Sequence, residues 1–540
     1  MRCGTVGDRW RTTSAGFCHV TLRPGPSRIA PREGRPHGSP PRFIAFGRPR
    51  PERGLRMKTA LMVWGASSGA GKSLLATAVC RWAARQGVDV APFKAQNMSN
   101  NARVVPAPGG GWGEIGAAQY FQALAARVTP SVDMNPVLLK PECDTASQVV
   151  LHGRVDAALS RQPWRERSAA LAEAARASFE RLAARHDLLV IEGAGSPAEI
   201  NLAPQDYVNL GTARWARAAG RLRAWLVADI DRGGAFAHLH GTWALLPDDL
   251  RERLDGFVLN KFRGDAALLA PGPQRLQQLT GVPVVGVLPM RRDHGLPEED
   301  GVYAAPAAAG GPRVVVLAGP HVSNLDEFQP LARTCRLRWA RTAAELDEAD
   351  WLILPGSKQV SGDLAWLRAQ GLDRAILRHA RAGRPVLGVC GGLQLLGRVL
   401  DDPLGVDGAA HGPLRGLGLL PLATRYAEPK RLLAAPVHFG ALRPPWAALS
   451  GLSVPGYQIR NGSSTAAATA AAVLHDEQGG IIGWQAGCVL GVYAHGLFEA
   501  PAVMRALFGA AVPTLDTSLD ALADLLQDHI DPDALRALLP

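Results

Sequence analysis

The chain is predicted to fold as two α/β domains in series, each built on a mostly parallel sheet wrapped by helices. Three observations carry this expectation. Residues 61–64, Leu-Met-Val-Trp, are a short apolar run that passes through Gly65-Ala-Ser-Ser-Gly-Ala-Gly71-Lys72-Ser73 into a segment with Leu74, Leu75, Ala78 and Val79 at helical spacing. From there to about residue 300, strand-length apolar runs alternate with helix-length periodic ones, the order that a parallel sheet requires. A second alternating set opens at Arg313-Val-Val-Val-Leu317 and contains a second strand–turn–helix at 385–397.

Length and composition agree with two domains. At 540 residues the chain exceeds what one core serves. It is 47% hydrophobic and 20% charged, with no apolar run approaching the ~18 residues of a membrane span. Seven cysteines without a CxxC pair argue against a structural zinc site or a secreted disulfide framework, and point to a reducing cytoplasm. The net charge of +11 is unevenly placed. Residues 1–56 hold twelve arginines, no lysine and only Asp8, Glu33 and Glu52 as acids, a net +9, which leaves +2 for the remaining 484 residues. A basic balance often marks a nucleic-acid partner, but here it belongs to the extension alone, so no nucleic acid is expected. The 1–56 segment is rich in Arg, Pro and Gly without helical or strand period, and is expected to be disordered. It lacks the apolar core of a secretory signal. Met57 directly precedes the first strand, and a chain beginning there is expected to fold and turn over like the longer one.

The first domain, 57–300, has expected strands at 60–64, 88–93, 188–192, 224–228, 256–260 and 284–288, and an alanine-rich helix at 168–184. Its first strand, glycine turn and helix N-terminus make a phosphate cradle. Gly65 and Gly71 let the backbone approach the anion, Lys72 reaches the outer phosphates of ATP, and the Ser73 hydroxyl can hold Mg²⁺. Five residues separate the two glycines instead of the usual four, a spacing that resembles the dethiobiotin-synthetase branch of P-loop proteins. Glu192 ends a buried apolar strand, where a lone carboxylate is costly unless it serves a cation. It is assigned to Mg²⁺, with pairing to a neighbouring lysine or arginine as the alternative. Asn260, at a strand C-terminus, is a candidate for adenine contact. Lys94, Gln96 and Asn97 end the second strand and face the same crevice, as candidate substrate contacts. Asp206 is a further candidate substrate contact. Small residues at 301–312 read as a linker.

The second domain, 313–507, has expected strands at 313–317, 351–354, 385–389 and 489–493. In Gly388-Val-Cys390-Gly391-Gly392 a strand turns sharply into a helix, the cysteine form of a nucleophile elbow. A free thiol is mostly protonated at neutral pH; a helix N-terminus and a histidine favour the thiolate. His495, in Tyr493-Ala-His495-Gly496, is the best-placed partner of the 14 histidines. The backbone N–H groups of Gly356 and Gly391 are candidates for the oxyanion hole. Residues 508–540 form a helical tail, with Ser518 and Asp531 as N-caps and Pro532 at a first helical position.

Cys390, the Pro355-Gly356-Ser357-Lys358 turn and His495 resemble a class I, triad-type glutaminase domain of the cobyrinate-amidating kind. Such domains place a glutamate two residues after the histidine. Here that position is Leu497, and Glu499 lies nearby. The ordered stretches Lys94-Ala-Gln96-Asn97-Met98, Met134-Asn135-Pro136, Glu192-Gly193-Ala194-Gly195-Ser196-Pro197, Asp229-Ile-Asp231-Arg232 and Asn260-Lys261-Phe262-Arg263 are similar to the cobyric acid synthases. This resemblance covers 58–505. It implies ATP- and Mg²⁺-dependent, glutamine-hydrolysing amidation of the b, d, e and g carboxylates of adenosylcobyrinic a,c-diamide, with the corrinoid and L-glutamine as partners. Two stretches depart from the family pattern: Gly113-Glu-Ile-Gly-Ala117-Ala118-Gln119 has alanine where arginine is typical, and Gln458 and Arg460 stand where Glu and His are common. The nearest alternative is the sister enzyme that amidates the a and c positions. A partition-type P-loop switch would carry a lysine five positions before Lys72, where Ser67 stands.

Overall fold

A computed structural model describes residues 56–296 and 310–540, except 144, 292–293, 409–411, 468 and 510–512. Of the segment 1–56 expected to be disordered and the expected linker 301–312, residues 1–55 and 301–309 lie outside the described residues. The first sheet has six parallel strands in the order Val284–Pro289, Leu254–Phe262, Arg221–Asp229, Thr59–Gly65, Leu188–Glu192, Val90–Phe93. Thr59–Gly65 lies near the middle with both faces covered. Ala60, Met62 and Trp64 enter one core, and Leu61 and Val63 the other. That two-sided burial explains the uninterrupted apolar run. The strand C-termini put Gly65, Glu192, Asp229 and Asn260 along one sheet edge.

The expected strands of this sheet are all present, and the expected helix at 168–184 starts earlier, as Trp164–Ala183. Residues 96–155 hold structure that the sequence reading left blank. Gln96–Met98, Val137–Cys143, Ala146–Leu151 and Arg154–Val155 form a small sheet, and Ala102–Pro106 pairs with Trp112–Gly116 in a hairpin.

The second sheet has nine strands. Arg336–Ala340, Arg313–Leu317, Trp351–Leu354, Val386–Val389 and Val489–Val492 are parallel. Ile481–Ala486, Ala471–Asp476, Arg431–Phe439 and Ser453–Arg460 extend it antiparallel.

The tail returns to the first sheet. Helix Leu515–His529 lies against helix Lys72–Arg85, where Arg81 meets Asp520 at 2.8 Å and Asp516 at 3.0 Å. Its Leu519, Leu522, Leu525 and Leu526 join the core beneath the P-loop helix. The expected N-cap at Ser518 is corrected: Thr514 caps this helix by accepting from the Thr517 N–H, and Ser518 lies one turn inside. Asp531 caps the last helix, accepting from the N–H groups of Asp533 and Ala534. No helix among the described residues is long and apolar enough to cross a membrane.

Candidate functional site

Two clusters of buried polar groups stand at the C-terminal ends of the two sheets. In the first, Gly69 and Gly71 take φ of 69° and 101°, the left-handed region that curls the loop around an anion. Gly71 also packs on Asn260: a Cβ there would lie 1.9 Å from the Asn260 amide nitrogen. Asn260 donates to the Ala70 carbonyl at 2.9 Å and so braces the loop. Lys72 is buried, and its ammonium bridges the carbonyls of Ser67 (3.1 Å) and Gly195 (2.9 Å). Gly65 ends the strand directly under that ammonium.

Glu192 is 1% exposed and gathers four donors. Its Oε1 accepts from Ser73 Oγ at 2.8 Å and Lys94 Nζ at 2.7 Å. Its Oε2 accepts from Gln122 at 2.5 Å and Gln119 at 3.3 Å. Burial pushes this carboxyl up, but the Lys94 charge and the bonds from Lys94, Gln122 and Ser73 outweigh it, and the net shift is downward. Both readings of Glu192 therefore meet in one place, a lysine pair and a carboxylate beside the P-loop hydroxyl. Among the described residues no cluster of three or more His, Cys, Asp or Glu forms a metal centre. A hydroxyl and one carboxylate beside substrate phosphates is the sparse oxygen set that Mg²⁺ accepts. The buried Oε1 atoms of Gln119 and Gln122 have no partner, which leaves acceptors free for metal-bound water. The residues fit Mg²⁺. Glu192→Gln is expected to raise the Mg²⁺ concentration needed for half-maximal ATP turnover by about tenfold or more with the fold intact. An unchanged Mg²⁺ titration would assign Glu192 to its lysine pair alone.

Around this centre, Gln96 accepts from the Tyr207 hydroxyl at 2.6 Å, and Asn97 caps the Met98 N–H at 3.0 Å. Asp206 does not point freely at the crevice. Its carboxylate accepts from the Asn209 N–H (2.7 Å) and side chain (3.2 Å), and the Asn209 amide in turn clamps the N–H and C=O of Ala194. Burial holds the Asp206 carboxyl above its ordinary value. Lys261, with φ of 60°, ties the Gly69 carbonyl (2.8 Å) to Asp229 (3.1 Å).

In the second cluster Cys390 occupies the strained elbow, with φ 50° and ψ −104°. Such a non-glycine conformation costs ~1–3 kcal/mol. The thiol faces the Ile459 carbonyl at 3.3 Å, and Cys390 is among the groups that raise the His495 imidazole. Gly391 has no room for a side chain, since a Cβ would sit 2.6 Å from the Ser357 nitrogen. The Gly356–Ser357 turn is thereby seated on the elbow, and Gly356 approaches the His495 ring. Cys390, His495, Gly356 and Gly391 thus converge.

The residue that completes this cluster is Glu327. Its Oε1 meets His495 Nδ1 at 2.8 Å, and its Oε2 accepts from the Gly496 N–H at 2.8 Å. Burial alone would lower the His495 imidazole, but the Glu327 charge and Cys390 raise it to about 10. Leu497 and Glu499 do not take this role; Glu499 turns to Arg103 at 2.6 Å, and burial raises its carboxyl to about 7. Sequence reasoning missed Glu327, whose only signal is an Asp-Glu pair in the segment after the first strand of this domain. It also missed Tyr457, whose ring stacks on His495 with centroids 5.2 Å apart. The two departures at 458 and 460 compensate each other: Arg460 donates to Gln458 at 3.1 Å and lies over the Tyr493 ring.

Glu327→Gln is expected to slow glutamine hydrolysis by roughly 10⁴-fold, as loss of an orienting carboxylate does in hydrolytic triads. The folded His495 value lies above the ordinary 6.5, so its contribution to stability is full below 6.5 and is lost as pH rises through about 10. The melting-temperature gap between parent and variant should therefore close as pH passes about 10. A gap independent of pH would place Glu327 outside the ion pair.

Comparisons with known proteins match both halves. Residues 61–301 match the CobQ/CobB/MinD/ParA nucleotide binding domain family, and residues 313–503 the CobB/CobQ-like glutamine amidotransferase domain family. The cobyric acid synthase of Methylibium petroleiphilum is 59% identical over 494 residues, covering 89% of this chain and 96% of that protein. That of Leptothrix cholodnii is 59% identical over 502 residues, covering 89% and 97%. That of a Polaromonas species is 55% identical over 510 residues, covering 89% and 98%.

Proposed function

The chain belongs to the cobyric acid synthase family, and from that premise we propose that it performs the ATP-dependent, glutamine-hydrolysing amidation of adenosylcobyrinic a,c-diamide at the b, d, e and g carboxylates. The observation that carries this reading is the presence in one chain of a P-loop centred on Lys72 and Glu192 and a Cys390–His495–Glu327 cluster. Residues 57–300 serve as the synthetase domain, 313–507 as the glutaminase domain, and the work takes place in a reducing cytoplasm.

Cys390 attacks the side-chain amide carbon of glutamine, while the N–H groups of Gly356 and Gly391 take the developing oxyanion. His495, held by Glu327, carries the thiol proton to the departing ammonia, and water then releases glutamate from the thioester. In the other half, a corrinoid carboxylate oxygen takes the terminal phosphoryl group of ATP, leaving ADP. Lys72 offsets charge on the phosphates during transfer. Mg²⁺, held by Ser73 and Glu192, would supply electrostatic clamping of those phosphates. Ammonia adds to the acyl phosphate and phosphate leaves, giving the amide. Asn260 braces the nucleotide loop; Lys94, Gln96, Asn97 and Asp206 line or shape the acceptor side.

Incubation with the a,c-diamide, ATP and glutamine, followed by mass measurement of the corrinoid, tests the acceptor. Four equal decrements, one for each exchange of OH by NH₂, are expected. No ladder would overturn the assignment, and amidation of cobyrinic acid itself at two positions would favour the sister enzyme.

A further inference from the structure

Arg103 belongs to the synthetase half but ends among the catalytic groups of the glutaminase half. It lies on the first strand of the hairpin, opposite Ile115, and is 1% exposed. Its Nη1 donates to the Tyr457 hydroxyl at 2.7 Å. Its Nη2 meets Glu499 at 2.6 Å and also Asp326, the neighbour of Glu327. The guanidinium is sandwiched between the rings of Phe121 and Tyr457, at 5.2 and 5.0 Å from their centroids. A buried cation fixed on three sides is costly to place and difficult to replace.

Two of the three polar targets of Arg103, Tyr457 and Asp326, bear on His495. Tyr457 stacks on the imidazole and exchanges backbone hydrogen bonds with it, His495 N–H to Tyr457 O at 2.8 Å and Tyr457 N–H to His495 O at 3.3 Å. Asp326 and Glu327 share one short helical segment, so holding the first fixes the second. The same hairpin grips the start of that segment: Asn324 donates to the Ala102 carbonyl at 2.9 Å and to the Tyr457 hydroxyl at 2.8 Å, and the Leu325 N–H donates to Asn101 at 3.0 Å. At its other end the hairpin runs into helix Ala117–Ala125, which carries Gln119 and Gln122 to Glu192. One element therefore touches both centres.

We propose that Arg103 is a positioning residue for glutamine hydrolysis, supplied by the synthetase half, which holds His495 in its working orientation through Tyr457 and through the Asp326–Glu327 segment. The proposal rests on the reading of Cys390 and His495 as a glutaminase. It places the glutaminase under the control of the other domain: when the hairpin is not seated, the imidazole loses two of its supports.

The test measures glutamate release with no corrinoid present, so an error in the assigned acceptor leaves it standing. ATP affinity in the presence of Mg²⁺, read by calorimetry, reports on the synthetase half. Arg103→Ala should lower kcat for glutamate release by about 10²-fold, the scale of an ångström's misplacement of a reacting group. KM for glutamine and ATP affinity should stay within about threefold, because the guanidinium is engaged by Tyr457, Asp326 and Glu499 and by none of the residues assigned to the nucleotide. Millimolar guanidinium should restore part of the lost kcat, an effect that a merely unfolded protein would not show. Arg103→Lys should recover little, since an ammonium cannot span the phenol and two carboxylates as a guanidinium does. Tyr457→Phe keeps the ring and removes the hydroxyl; its loss should largely disappear in the Arg103→Ala background. Parental kcat in Arg103→Ala would overturn the proposal, as would equal losses of glutamate release and ATP affinity without guanidinium rescue. Fully multiplicative losses in the double variant would remove the Tyr457 route.

Discussion

Replacing Cys390 by alanine should reduce glutamine-driven amidation by on the order of 10⁶-fold, the scale seen when a hydrolase loses its nucleophile. The same variant should still amidate the corrinoid with concentrated ammonium salt at alkaline pH, where free ammonia is abundant. The reason is a division of labour: the thiol makes ammonia and has no part at the carboxylate. Alanine suits this test because it keeps a Cβ at the strained position, where φ is 50°, so the elbow is carried over with its strain. His495→Ala should show the same split with some residual hydrolysis, since the thiol remains. If a folded Cys390→Ala protein, checked by its melting temperature and ATP affinity, cannot use ammonium, the two-site scheme is wrong.

Lys72→Ala should fail with either nitrogen source. Its ammonium is the buried cation of the glycine loop, and loss of a charge that stabilises phosphoryl transfer costs roughly 10³-fold or more. The loop also loses the bridge from Ser67 to Gly195, so nucleotide affinity should fall with turnover. Glutamate release assayed alone should persist, since Lys72 bonds to Ser67 and Gly195 within the synthetase half. Ammonium-driven amidation at the parental rate would remove Lys72 from the phosphoryl step.

The contrast between these variants mirrors what could be read before the structure. Both glycine turns were legible because their chemistry is contiguous: a strand, small residues and a helix N-terminus impose themselves on a dozen neighbouring positions. Cys390 and Lys72 follow from such local demands. Glu327 does not, because it reaches His495 from 168 residues upstream. No periodicity marks a carboxylate whose partner lies on another element. Arg103 is further still, 354 residues from Tyr457, in a stretch where the sequence marks no element. The same limit hid Gln119 and Gln122, whose helix carries them to a carboxylate some 70 residues away.

The antiparallel half of the second sheet escaped for a different reason. Its strands carry alanine, glycine and proline, and irregular registers interrupt the pairing of Ala471–Asp476 with Ile481–Ala486. Their order comes from neighbours, and intrinsic strand preference contributes little. At the tail, Thr514, Asp516, Thr517 and Ser518 all have capping side chains. Which of them caps is decided by where Leu519 and Leu522 must sit against the P-loop helix.

That last contact bears on how the protein is made. The helix covering one face of the P-loop helix is encoded at the far end of the chain, after the whole glutaminase domain. A ribosome adds ~5–20 residues per second, so roughly ten to fifty seconds separate the last strand of the first sheet from the helix that covers it. During that interval Leu75, Val79 and Trp82 have an open side, and Arg81 has neither aspartate. The nascent synthetase half is thus a natural client for a chaperone that shields apolar helix faces. A stop codon shortly before Thr514 would damage nucleotide binding while sparing the thiol site.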